Sequence, residues 1–455
     1  MKTAREHDKT TRLLTARVEP LILSLAVPTI LTMLITTFYN MADAFFVGTI
    51  NPSASGAVGV VFSLMAIIQA LGFFFGHGSG NYISKKLGAG DRESAETMAI
   101  TGFLSSMAFG ALLAVLGQIF ISPLSYFLGS TPTIEPYAVD YLRFILIGAP
   151  FMTSALTLNN QLRFQGSAAY AMIGMCTGGI INVGLDALFI MGLGMGTLGA
   201  GLATAISQTI SFTMLVLGTL RGGNLRLKIK KFTFSPKFYA EIARGGLPSL
   251  ARQGSSSIAV ISLNHVLALV SGNFVDEAIA AMGIVAKISN FFFSIVVGLG
   301  QGFQPVCGFN YGAKKYERVL KGYRFSLIVA AVFAMAIALF GILFASPLTG
   351  LFTDSEKVVE IALPALKSQC AALSLTAMAT ISNMLLQNIG KVVGATVLAI
   401  GRQGLFYLPV LFIMQAIWGL WGVQLSQSVA EALTFFASIP LTFPTLKELR
   451  RNVTI

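Results

Sequence analysis

The chain is 455 residues long, 55% hydrophobic and only 11% charged, with a formal net charge of +12. A soluble protein of this size needs far more charge to cover its surface, so the apolar excess must face something other than water. Apolar stretches of about 20 residues, enough to cross about 30 Å of hydrocarbon, recur along the whole length and leave no room for a separate soluble domain.

In chain order, a charged tail (1–19) precedes a first apolar run, 20–48, that is too long for a cleavable signal peptide and stays as a helix. Further runs cover 53–83, 98–122, 136–158, 167–191 and 197–220. A linker, 221–238, is rich in Lys and Gly and contains Pro236. The runs resume at 239–270, 276–308, 322–345, 357–386, 392–416 and 419–443, and 444–455 form a C-terminal tail. Several exceed 20 residues, so tilt or interfacial extension is expected. They are too long, and too little alternating, for the strands of an outer-membrane barrel. The fold class is an all-α membrane protein of twelve transmembrane helices.

The charge is not spread evenly. Basic residues gather in alternate connections: Lys2, Arg5, Lys9, Arg12 and Arg17 in the tail, then Lys85, Lys86 and Arg92, then Arg163. The linker region holds seven, from Arg221 to Arg244, and a further group runs from Lys314 to Arg324. Lys391 and then Lys447, Arg450 and Arg451 complete the set. The opposite connections hold Lys357 with Glu135, Asp276, Glu277, Asp354 and Glu356. The positive-inside rule therefore puts both termini in the cytoplasm and requires an even number of spans. A nucleic-acid-binding patch would not alternate in this way, so no nucleic acid is expected as a partner. Cys176, Cys307 and Cys370 lie in apolar runs, match no metal spacing and give no case for a disulfide.

The chain repeats itself. At an offset of 224, Gly76 meets Gly300, Gly78 meets Gly302 and Gly88-Ala89 meets Gly312-Ala313. Ser122-Pro123-Leu124 meets Ser346-Pro347-Leu348, Asn159 meets Asn383 and Gly166 meets Gly390. After one deletion the offset is 223: residues 188–191 meet 411–414, Gly196 meets Gly419 and Gly199 meets Gly422. Runs of three and four at a nearly fixed offset are not the accident of a Gly-rich sequence. The reading is two pseudo-symmetric six-helix bundles, an N-lobe (20–220) and a C-lobe (239–443), entering the membrane in the same orientation. Pro28, Pro150, Pro248, Pro305 and Pro409 interrupt helical runs and bend them, either as fixed kinks or as the moving parts of alternating access.

A carboxylate at mid-bilayer costs roughly 2.5–3.5 kcal/mol on insertion scales, so each one calls for a reason. Asp43 and Asp186 sit well inside spans of the first half, and neither has an acidic counterpart in the repeat. Tyr39 and Thr36 share the face of Asp43, and Asn182 lies four residues before Asp186. Tyr141 and Asn159 share a face of the fourth span, and Thr204 projects from the sixth. Such a cavity offers carboxylates, amides and hydroxyls able to hold a proton, a Na⁺ ion or an organic cation; a hydrogen-bonded packing network is the alternative. In the second half, Arg252, Lys287, Arg402 and Glu431 lie in or near spans. Lys287 and Arg252 are candidates to neutralise Glu431, with snorkelling to the interface as the other reading. His265, Asn264 and His77 read as packing.

The run Asn40-Met-Ala-Asp43-Ala-Phe-Phe-Val-Gly48, the run Asn182-Val-Gly-Leu-Asp186-Ala-Leu-Phe-Ile190, the loop Gly88-Ala-Gly-Asp-Arg92 and Gly199-Ala-Gly-Leu-Ala-Thr-Ala-Ile-Ser207 together resemble the MATE (multidrug and toxic compound extrusion) transporters over nearly the whole chain. The resemblance is greatest to the DinF/MepA-like branch. It implies a MATE/MOP-flippase-like fold of two bundles in a bacterial inner membrane, acting as a monomer, and antiport of organic cations and drugs against H⁺ or Na⁺ with no cofactor. It carries an ion-coupling role onto Asp43, Asn182 and Asp186, with Tyr39, Thr36, Tyr141, Asn159 and Thr204 lining the cavity. Na⁺ at Asp43, Asn182, Asp186 and Thr204 stays open beside H⁺. The NorM-like branch also uses acids in spans 7 and 10, where this chain has Ser255-Ser-Ser257 and Ser382-Asn383, which favours H⁺. A lipid-linked oligosaccharide flippase of the same superfamily is the competing reading, but paired acids would repel a pyrophosphate. A membrane-embedded enzyme would need a zinc-protease His pair, a nucleophile elbow or a phosphate loop, and none occurs.

Overall fold

A computed structural model describes residues 2–453, without the side chains of residues 2–8, Pro52 and Asn273, so the tail cations Lys2 and Arg5 lie outside the described side chains. The tail itself is helical, α1 (Lys2–Thr15). The remaining helices of the first half are α2 (Val18–Gly48), α3 (Pro52–Gly88), α4 (Arg92–Ile119), α5 (Ile121–Phe127), α6 (Glu135–Phe164), α7 (Ala168–Asp186) and α8 (Gly196–Gly222). Those of the second are α9 (Pro236–Val270), α10 (Val275–Gly312), α11 (Tyr316–Leu343), α12 (Ala345–Gly350), α13 (Glu356–Ile389), α14 (Val392–Ile400), α15 (Tyr407–Trp418) and α16 (Leu420–Arg451). Twelve helical segments are long and apolar enough to cross a membrane, and no strand occurs among the described residues. Two spans are compound. A π-helical turn, Ala187–Gly192, continues α7, and another, Gly401–Leu405, joins α14 to α15.

Local chemistry sets the helix starts. The Asn51 side chain accepts the Ala54 N–H at 2.7 Å and Pro52 fills the first turn of α3, where no amide proton is needed. Asp91 does the same for α4 by accepting the Ser94 N–H at 3.1 Å. Asp91 also pairs with Lys86 at 2.8 Å, and that ammonium, with the cap bonds, holds its carboxyl down at about 2.

The repeat is carried into the backbone. The matched run Ser-Pro-Leu folds in both halves into a short helix, α5 and α12. Gly166 and Gly390 both take the left-handed conformation, with φ of 78° and 93°, to end α6 and α13. Gly196 and Gly419, at 60° and 56°, open α8 and α16. Gly90 (80°) is matched by Lys314 (58°), the one left-handed non-glycine among the described residues. Side-chain anchors repeat as well: Asn159 donates Nδ2 to the Ala171 carbonyl, and Asn383 donates to that of Ala395.

By packing, the chain divides into two compact units. Of the described residues, the first holds 27–250 with 2–17 and 308–314; the second holds 251–307 and 315–453 with 18–26. The opening residues of α2 thus belong with the second unit, where Glu19 pairs with Lys321 at 3.0 Å. The opening residues of α9 belong with the first, where Tyr239 meets Ser105 at 2.8 Å.

Candidate functional site

Four helices of the first unit bring Asp43 (α2), Tyr141 (α6), Asn182 and Asp186 (α7) and Thr204 (α8) into one buried polar cluster. Tyr141 is fully buried, and its hydroxyl reaches both oxygens of Asp43, at 2.9 and 2.7 Å. Asn182 Nδ2 donates to Thr204 Oγ1 at 3.4 Å, a long bond. Tyr141 also makes a side-chain contact with Thr204, and the Asp43 and Asp186 carboxyls lie within electrostatic reach of each other. The close approach of α8 to α6 depends on Gly201, where an added Cβ would sit 2.8 Å from the Tyr141 carbonyl oxygen.

Asp186 is the outlier of the cluster. It is 0% exposed, yet neither carboxyl oxygen has a hydrogen-bond partner among the described residues, and the same holds for Oδ1 of Asn182. Buried polar atoms are nearly always satisfied, so three unsatisfied acceptors side by side describe a site short of a donor or a cation. Asp186 is followed at once by the π-helical turn, Ala187–Gly192. Turns of this kind widen a helix at one point and recur at functional sites.

The other lining candidates fall into two groups. Tyr39, one turn before Asp43, is buried and lies near the side chain of Gln208 of α8. Thr36 is half-buried, with its hydroxyl donated to the Thr32 carbonyl of its own helix at 2.8 Å. Asn159 is held by its bond to the Ala171 backbone, 3.1 Å long, and joins α6 to α7. Gln208 escaped the sequence reading, because a glutamine in an apolar run carries no charge to draw attention.

The second unit has its own buried charges. Arg402, in the π-helical turn Gly401–Leu405, donates Nε to Glu431 of α16 at 3.1 Å. Neither Arg252 nor Lys287 neutralises this acid. Lys287 is exposed, as a snorkelling lysine would be, and no hydrogen bond or ion pair joins Arg252 to any described residue. The sequence could not choose among three cations for one acid without knowing which helices pack together. His265 and Asn264 are exposed, whereas His77 is buried against Arg163 and the Phe73 carbonyl.

Residues 28–188 and 255–413 each match the MatE family, one match per half. The multidrug export protein MepA of Staphylococcus aureus (strain N315) is 30% identical over 422 residues, 92% of this chain and 92% of that protein. MepA of Staphylococcus haemolyticus (strain JCSC1435) is 28% identical over 433 residues, covering 94% and 93% respectively. The structure of an outward-facing multidrug resistance MATE family transporter of the MOP superfamily is similar with a TM-score of 0.91 at 26% identity, over 97% of this chain and 98% of that one.

Proposed function

From the membership of this chain in the MatE family of multidrug transporters, which makes it a transporter and not an enzyme, we propose that it exports organic cations and drugs by antiport, with Asp43 and Asp186 as the ion-coupling acids. The observation that carries the reading is the Asp186 carboxyl, buried with both oxygens unpartnered. An ionised carboxylate in that setting is unstable until a proton or a cation answers it.

The two acids are supplied differently. Tyr141 gives Asp43 one hydroxyl donor shared between its two carboxyl oxygens, so its carboxylate is stabilised by the protein itself. Asp186 has no such donor and depends on what enters. A proton taken up from outside neutralises it; so does Na⁺, for which Asn182 Oδ1 and Thr204 supply further oxygens. Neutralisation removes the attraction for a cationic drug, and the drug leaves. Ion and drug exclude each other through one carboxylate pair, and that exclusion is the core of an exchange. The alternating basic connections support cytoplasmic termini, and the family resemblance implies a monomer in a bacterial inner membrane.

The test is ethidium efflux from cells expressing wild type, Asp43→Asn or Asp186→Asn, each in Na⁺-free and Na⁺-containing medium. Both variants should drop to the rate of cells lacking the transporter. Undiminished efflux from both removes the coupling role, and the dependence of the wild type on Na⁺ decides the ion.

A further inference from the structure

The charges of the second unit have no part in the exchange just described. Arg252, Arg402 and Glu431 line one small cavity together with Phe293, Thr380 and Gln403. Glu431 is fully engaged within the protein. Its Oε1 accepts from Arg402 Nε and from Gln427, each at 3.1 Å, and its Oε2 accepts from Thr376 at 2.7 Å. One acid therefore answers one guanidinium, and the cavity keeps a net charge of +1. Arg402 lies 3.8 Å from the centre of the Phe293 ring, which fixes its plane. Among the described residues its terminal amino groups meet no acceptor, and Arg252 meets none at all.

An arginine stays charged in any protein setting, so its excess charge is relieved only by an anion or by water. Two guanidinium groups facing one space offer the forked donors that match a carboxylate. The cavity volume of about 30 Å³ leaves room for a carboxyl-sized head and not for a whole drug. The hydroxyl of Thr380 and the amide of Gln403 add neutral polar groups to the wall. We propose that this cavity binds the carboxylate of an organic solute, with Arg252 and Arg402 as its donors and the body of the solute outside it. Glu431 acts as a positioning residue that orients Arg402 and competes with the incoming anion.

The test uses the purified full chain in detergent micelles, with no ion gradient, and two dyes that differ only at one group. Rhodamine 110 carries a free carboxylate; rhodamine 123 is its methyl ester. Fluorescence anisotropy should show tighter binding of the acid by wild type. Arg252→Gln should weaken the acid roughly tenfold, the worth of one charge-assisted hydrogen bond, and leave the ester unchanged. Glu431→Gln keeps the size and most of the bonds of the side chain while removing the competing charge, so it should tighten the acid. Sodium acetate, and not sodium chloride at equal ionic strength, should displace the acid. Equal binding of both dyes by wild type, or an acid preference unmoved by Arg252→Gln and Glu431→Gln, overturns the site. Glu431→Gln carries the test alone if Arg252→Gln does not fold. Both dyes share a cationic ring that Asp43 and Asp186 could attract, so the measurement is repeated in Asp43→Asn/Asp186→Asn. The acid preference and its response to Arg252→Gln should persist there; their loss assigns the binding to the first unit and overturns the site.

Discussion

Tyr141 and Asp43 join two helices of the first unit, because a single phenol hydroxyl bridges both carboxyl oxygens in a place that water does not reach. Tyr141→Phe deletes that donor and leaves a buried acceptor without a partner, at a cost of about 1–3 kcal/mol. In an Asp43→Leu background the same change should cost under about 0.5 kcal/mol, since the group that needed the donor is gone. Thermal or denaturant unfolding of the four purified proteins measures the difference; equal costs in both backgrounds would mean that the phenol packs and does not bond. The residues of this cluster were legible in the sequence for one physical reason. Charge and hydrogen-bonding capacity are expensive inside lipid-spanning runs, so Asp43, Asp186 and Asn182 stand out from their neighbours. Partnership was not legible. Helical spacing puts Tyr141 and Asn159 on one face of α6, but only packing assigns the first to Asp43 and the second to the Ala171 carbonyl. The pairing of Arg402 with Glu431, 29 residues apart, was hidden for the same reason.

At the level of elements, the chain prepares bends and ends with inexpensive local devices. In α2 the interruption at Pro28 is followed by Thr32, Thr36 and Thr37, each returning its hydroxyl to the carbonyl four residues earlier, at 2.9, 2.8 and 3.0 Å. Back-bonding of this kind loosens the helical ladder and favours curvature. Proline and helix boundaries could be read in advance, because caps and breakers are local. The two π-helical turns could not, since no residue type demands one, yet they fall next to Asp186 and around Arg402. Asp91 shows what a cap contributes. It starts α4 and pairs with Lys86, and its carboxyl titrates at about 2 instead of the usual 3.8. The sign follows from the depressed value: its stabilisation is present above about pH 4 and is lost as pH falls towards 2. Asp91→Ala should destabilise by about 1 kcal/mol at neutral pH. Asp91→Asn keeps the cap and loses the ion pair, so it should cost less and lack the acid-dependent step. Melting curves of the three proteins between pH 3 and pH 7 check this, and identical acid profiles for wild type and Asp91→Asn would refute it.

Over the whole molecule, duplication explains which similarities persist between the halves and which do not. Two pairs of glycines that recur at the repeat offset hold a positive φ, where a side chain is strained: Gly166 with Gly390 end helices, and Gly196 with Gly419 open them. Close approach is kept too, since a Cβ on Gly76 would strike Asn160 and one on Gly300 would strike Met384, the repeat partner of Asn160. Scaffold is thus duplicated, whereas the charged chemistry is not: the first unit has two acids and the second an Arg-rich cavity. This division makes a prediction about the paired asparagines. Asn159 and Asn383 make the same side-chain bond to the carbonyl twelve residues on, in α7 and α14. Asn159→Leu and Asn383→Leu should therefore each cost about 0.5–1.5 kcal/mol of stability, equal within error, because each deletes one buried hydrogen bond of the same type. Neither should alter how ethidium efflux responds to pH or Na⁺ once expression is matched. Loss of that response in Asn159→Leu alone would move Asn159 out of the scaffold and into the site with Asp43 and Asp186.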